Sequence, residues 1–205
     1  MIIAIDGPAG SGKSTVAKHL AVRLGFFHLN SGRLYRWVTY NALKNNLDTA
    51  DMVVVEKLAN GLSFENILDE ELHSETINKL VPLVAKFAGV RKAVLAQQRR
   101  LAAGRDTVAE GRDIGSVVFP EAELKIFLSA SVEERAKRRL QEYGAIGRQE
   151  SFEQVLEKIK ERDLHDSERE HSPLVKAEGG IEIDTTSLSV EQVLEKIEKL
   201  VENIK

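Results

Sequence analysis

Apolar residues fall along this chain in two patterns, short unbroken runs and longer stretches with helical spacing. Ile2 to Ile5 form a mostly β-branched run without polar alternation, the pattern of a strand covered on both faces. Phe26 to Leu29, Thr107 to Ala109, Glu123 to Leu128 and Ile181 to Asp184 read as further short strands. Between them the spacing is helical. Val16, Leu20 and Leu24 share a face that stops at Gly25. From Leu34 to about Gln98 the pattern is mainly helical, with Asp51 and Ser63 as candidate turn or cap positions. Ser131-Val-Glu-Glu opens a helical region running to about Glu170, broken around Gly144 to Gly147. Ser189 to Ile204 reads as a closing amphipathic helix that packs Val190, Val193, Ile197, Leu200 and Val201 on the core. Short apolar strands alternating with helices predict an α/β fold, a parallel sheet with helices on both faces.

At 205 residues the chain suits one such domain with a small insertion. A net charge of −3 with 42% hydrophobic residues excludes disorder, and excludes broad attraction to nucleic acid or an anionic membrane. Any anion site must therefore be local. The absence of cysteine excludes disulfides, thiolate metal sites and cysteine nucleophiles, and agrees with a cytoplasmic setting. Met-Ile-Ile-Ala-Ile-Asp lacks the basic start of a signal peptide, and no run approaches the roughly 20 apolar residues of a membrane span. The five histidines show no ligand spacing. A monomer is expected, since no long exposed apolar face is evident.

One segment carries clear chemistry. Gly7-Pro8-Ala9-Gly10-Ser11-Gly12-Lys13-Ser14, followed by Thr15, matches Gly-x-x-x-x-Gly-Lys-Ser/Thr between a predicted strand and a predicted helix. Such a turn lets successive N–H groups converge on one anion, at the positive end of the helix that follows. Lys13 adds a full charge at the β- and γ-phosphates, and the Ser14 hydroxyl suits Mg²⁺. The motif implies a nucleoside triphosphate. No Asn-Lys-x-Asp segment for reading guanine is present, and the third strand ends in Glu110 rather than the Asp usual in motors. A phosphotransferase with its own acceptor site fits better.

Three clusters suit an acceptor. Asn30-Ser31-Gly32-Arg33-Leu34-Tyr35-Arg36 and Glu110-Gly111-Arg112-Asp113-Ile114-Gly115 both follow predicted strands, where open α/β sheets bind ligands. Their arginines match the geometry of phosphate oxygens. In the third cluster, Arg162, Asp166 and Arg169 share one helical face. Arg135, Arg138 and Arg139 either reach the ATP phosphates or form a solvated face with Glu133, Glu134 and Glu142.

Over essentially its whole length the chain resembles the bacterial cytidylate kinase family of nucleoside monophosphate kinases. The resemblance lies in Ile5 to Thr15, Ser31-Gly-x-x-Tyr-Arg36, Val90-Arg91 with Gln98-Arg99, Glu110 to Gly115, Glu161-Arg162-Asp163 with Pro173-Leu174, and Ile183-Asp184-Thr185. It implies a three-layer P-loop kinase fold with a five-stranded parallel sheet and a single kinase domain. The core would span about 1–35, 86–131 and 172–205, with a helical monophosphate-binding insertion at about 36–85 and a lid at about 132–171.

The implied partners are ATP, with Mg²⁺ at Ser14, and CMP or dCMP. ATP would lie on Gly7 to Thr15 and Arg139. Arg99 would donate to cytosine O2 and N3, and Asp113 would accept from the N4 amine. Arg36 and Arg112 would hold the acceptor phosphate, Arg162 and Asp166 the sugar, and Ser31 the monophosphate or its base pocket. Arg169 would close the lid or brace Asp166. Lys13, Arg112, Arg162 and Arg169 form the implied catalytic set. Uracil reverses both base contacts, and leaving buried polar groups unpaired discriminates strongly. Three features depart from the family: Asn30 replaces an Asp, Pro82 replaces a serine that assists at the cytosine amine, and the segment from about Asp48 to Leu80 is short. Cytosine recognition would then rest more heavily on Asp113.

Overall fold

The computed structural model describes residues 1–64, 67, 72, 74–145, 147–168 and 172–204. Its sheet is five-stranded and parallel, with helices on both faces, in the order β2-β3-β1-β4-β5. The strands are β1 (Ile2–Asp6), β2 (Phe27–Asn30), β3 (Thr107–Gly111), β4 (Leu124–Ser129) and β5 (Ile181–Asp184). The order reverses at β1, which pairs with β3 on one side and β4 on the other. Ligands of open α/β sheets bind beyond the carboxyl ends of strands at such a reversal. Asp6 is in register with Gly111, so the glycine loop and the Arg112-Asp113 segment leave the sheet side by side.

The chain divides into two compact units. One comprises Met1–His28 and Arg105–Lys205. Its core joins Ile3, Ile5, Val108, Ile126 and Leu128 of the sheet to Val16 and Leu20 of α1 (Lys13–Leu24) and to Leu194 and Ile197 of α8 (Val190–Glu202). Helix α1 stops because Gly25 adopts φ 69°, a left-handed end that glycine accepts without strain. A smaller apolar cluster around Ala136, Val155 and Ile159 packs α6 (Val132–Ala145) on α7 (Phe152–Ser167). The Ser131 hydroxyl accepts from the Glu134 N–H at 3.2 Å, as a helix-start residue should. Both α7 and α8 begin with a complete capping box, Ser151 with Gln154 and Ser189 with Gln192. Ser189→Ala is expected to cost about 1 kcal/mol, read as a melting temperature about 2–4 °C lower with turnover unchanged.

The second unit, Leu29–Gly104, is helical apart from the end of β2 among its described residues. Helices α2 (Ser31–Lys44), α3 (Met52–Gly61), α4 (Glu75–Val84) and α5 (Ala88–Ala102) divide the long helical stretch read from the sequence. Asn30, Asp51 and Ser74 cap the first three through their side chains. Asp51 is thus a cap, and the Ser63 carbonyl accepts from Trp37 Nε1 at 2.7 Å. Pro82 lies in the last turn of α4. Among the described residues no helix is long and apolar enough to cross a membrane.

Candidate functional site

The glycine loop joins β1 to α1, and two of its glycines are sterically obligatory. A Cβ on Gly7 (φ 152°) would stand 2.2 Å from the Leu128 carbonyl oxygen. On Gly10 (φ 78°) it would press to 3.0 Å on Arg135 Cβ. Lys13 is buried at the start of α1, and its ammonium donates to the Pro8 carbonyl at 2.7 Å. Burial, then the positive fields of Arg112 and Arg162, pull its pKa well below the ordinary lysine range, while Glu110 and Asp166 work against them. Both guanidinium groups thus lie within electrostatic reach of Lys13.

The Ser14 hydroxyl donates to Glu110 Oε2 at 2.6 Å. Glu110 is the penultimate residue of the fully buried strand β3, and its other oxygen lies 3.2 Å from His28 Nε2. A hydroxyl beside a buried carboxylate is the hard oxygen chemistry that Mg²⁺ prefers. Sequence reasoning places Glu110 in the cluster after the third strand but gives it no role of its own. Its signal is an acidic residue near the end of a buried strand beyond the glycine loop.

Directly after β3, Arg112 Nε donates to Asp166 Oδ2 at 2.7 Å, and Nη1 leans on the Gly111 carbonyl at 3.3 Å. Asp166 is only 2% exposed near the end of α7, and its carbonyl accepts from Leu174 N–H at 2.8 Å. Arg162 lies one turn earlier on α7. The structure thus brings Arg112, Arg162 and Asp166 toward Lys13 within one unit. Asp113, buried, opens a π-helical turn at Ile114–Val118. Arg169 lies outside the described residues.

The second unit carries the remaining residues expected at the acceptor. Ser31 is buried in the first turn of α2. Arg36, half-buried on α2, donates from Nε to Asn78 Oδ1 at 3.4 Å. Arg99 is exposed in the last turn of α5.

Among the arginines of α6, Arg135 does not lie on a solvated face. It is 4% exposed, donates to the Ala9 carbonyl at 3.2 Å and the Ala130 carbonyl at 3.0 Å, and grips Asp163 at 3.0 and 2.6 Å. It ties the glycine loop to α7. Arg138 donates to the Thr185 carbonyl at 2.6 Å and hydroxyl at 3.0 Å. Arg139 pairs with Glu142 at 2.8 Å and sits 5.9 Å from the Tyr143 ring centre.

Comparison with known proteins brings in a family. A family model described as Cytidylate kinase matches residues 3–203. The chain is 44% identical over 214 residues to the cytidylate kinase of Bacillus velezensis, spanning 98% of this chain and 96% of that one. It is 46% identical over 213 residues to the cytidylate kinase of Geobacillus kaustophilus, spanning 97% and 95%. Among solved structures it is similar to shikimate kinase from Bacteroides thetaiotaomicron, with a TM-score of 0.55 and 13% identity over 98% of each chain. A gluconokinase from Sinorhizobium meliloti gives a TM-score of 0.51 and 17% identity, over 98% of this chain and 94% of that one. At those identities the two structures speak for the P-loop kinase fold alone.

Proposed function

Because this chain belongs to the cytidylate kinase family, we propose that it transfers the γ-phosphate of ATP to CMP or dCMP, giving ADP and CDP or dCDP. The observation that supports this most is the gathering of cations at the glycine loop, where the fields of Arg112 and Arg162 both reach the buried Lys13. Positive groups gathered there, with Asp166 and Glu110 balancing them, suit a transferring phosphoryl group.

An acceptor phosphate oxygen is already anionic, so no strong general base is required. Catalysis consists of in-line alignment and charge neutralisation. Backbone N–H groups of the loop hold the donor phosphates, Lys13 neutralises the β/γ region, and Arg112 takes the acceptor phosphate, held in direction by buried Asp166. Arg36 assists at the acceptor phosphate, Arg162 and Asp166 at the sugar. Ser14 and Glu110 would hold Mg²⁺, which when bound with ATP would neutralise charge on the transferring phosphoryl group. Closure of α6 and α7 would exclude water, the competing acceptor.

For the base, Arg99 donates to cytosine O2 and N3 while Asp113 accepts from N4. Pro82 has no side-chain donor or acceptor, so the amine depends on Asp113. Asp113→Asn is expected to lower kcat/KM for CMP by about tenfold or more, and UMP turnover less, with the KM for ATP within about twofold of the parent. Steady-state kinetics with both acceptors checks this. An equal loss for CMP and UMP would show that Asp113 does not read the base.

A further inference from the structure

Asp6 is the last residue of β1, immediately before the glycine loop, and only 3% of it is exposed. Its two carboxylate oxygens accept one backbone N–H each, from Ile114 at 2.9 Å and from Gly115 at 2.8 Å. These amides come directly after Arg112 and Asp113, and Ile114 and Gly115 are both buried. The β1–β3 ladder has ended by then, with Asp6 opposite Gly111, so no strand supplies acceptors for them. The turn is also held from the far side. A Cβ on Gly115 would stand 3.3 Å from Ala177 Cβ and Lys125 Cγ and 3.5 Å from Ala4 Cβ.

Resting on the CMP reading above, we propose that Asp6 is the positioning residue that aims Arg112 and Asp113, and through Asp113 sets the preference for cytosine over uracil. Two converging N–H groups require two acceptor oxygens. An ionised carboxylate provides them; an amide or a protonated acid turns a donor against one of the N–H groups. The charge contributes as well. A second anion behind Asp113 favours an N–H donor such as the cytosine amine and disfavours the uracil O4 lone pairs.

The energetics argue that this anion is retained for function. Burial raises the pKa of Asp6 from 3.8 to about 6, against the two backbone hydrogen bonds. The charged groups facing it are Asp113, in the turn, which raises the pKa further, and Lys13, in α1, which lowers it. Because the folded value lies above the unfolded one, the native state holds more protons between about pH 4 and 6. Its contribution to stability is greatest below that window and is lost as pH rises through it, so the ionised form costs stability at neutral pH. Buried charges kept at such a cost cluster at functional sites.

Asp6→Asn is the direct test, with Asp6→Glu as a charge-keeping partner that displaces the carboxylate by one methylene. Both are expected to lower kcat/KM for CMP and to shrink the CMP-to-UMP preference by about tenfold, with the KM for ATP within about twofold of the parent. In the unaltered protein, the Ile114 and Gly115 amide resonances should move together in NMR spectra as pH falls through about 6. A folded Asp6→Asn or Asp6→Glu variant with an unchanged CMP-to-UMP preference would overturn the proposal. So would two amides that fail to share one titration, a result that needs no variant to fold. An unaltered protein inert toward CMP would instead defeat the kinase reading, and that would be visible before any substitution was made.

Discussion

Lys13→Met is expected to slow phosphoryl transfer about a thousandfold or more, in a protein that melts no lower than its parent. The two effects have one cause. Lys13 is a buried ammonium whose pKa is depressed by burial and by Arg112 and Arg162. The unfolded chain, with lysine at its usual 10.5, holds that proton more tightly than the native state does. Folding therefore gives up stability at neutral pH, and the deficit closes only as pH rises toward the unfolded value. Methionine fills similar space without the charge. The lost bond to the Pro8 carbonyl offsets part of the gain. Turnover and calorimetric melting of the same sample check both effects. A variant with near-parental turnover would remove Lys13 from the chemistry, and one melting several degrees lower would contradict the cost assigned to its charge.

Arg135→Ala should produce the largest loss of stability among the arginines of α6. It would leave Asp163 without its bidentate partner and the Ala9 and Ala130 carbonyls short of a donor. Removing one member of a buried ion pair costs about 3–5 kcal/mol, and the part-exposed Asp163 places this case near about 3. In a chain of this size that lowers the melting temperature by about 6–12 °C. The KM for ATP should rise too, because Ala9 belongs to the glycine loop. Arg139→Ala, which removes a surface pair with Glu142, should change stability by less than about 0.5 kcal/mol. Equal melting of the two variants would deny Arg135 its role as a clamp.

The contrast between these arginines shows what the sequence makes legible. Arg135 and Arg139 stand one turn apart in an equally charged segment, and nothing local distinguishes them. Only the fold brings Asp163, 28 residues on, and Ala9, 126 residues back, to Arg135. Asp6 was hidden for the same reason, since its donors lie 108 and 109 residues away. Legible in the sequence is the chemistry confined to a few neighbouring residues. The β-branched run at Ile2 to Ile5 became β1, and the glycine loop stood out because backbone amides can cradle phosphate only with glycine at set positions. Ser189 with Gln192 and Asp51 before α3 are local capping signals of the same kind. Strand ends shifted by a residue or two, as at Thr107–Gly111, because the ladder with β1 continues past the last apolar side chain. The role proposed for Arg99 does not follow from its polar helix end and rests on the family resemblance alone.

The account stands or falls on an acceptor panel. Purified protein with Mg²⁺ and ATP is offered CMP, dCMP, UMP, AMP and no acceptor, and ADP release is followed in a coupled assay. Rapid ADP formation with CMP or dCMP, much slower formation with UMP and AMP, and almost none without an acceptor is the predicted result. Tight ATP binding without acceptor-dependent turnover, or AMP outpacing CMP, would contradict it.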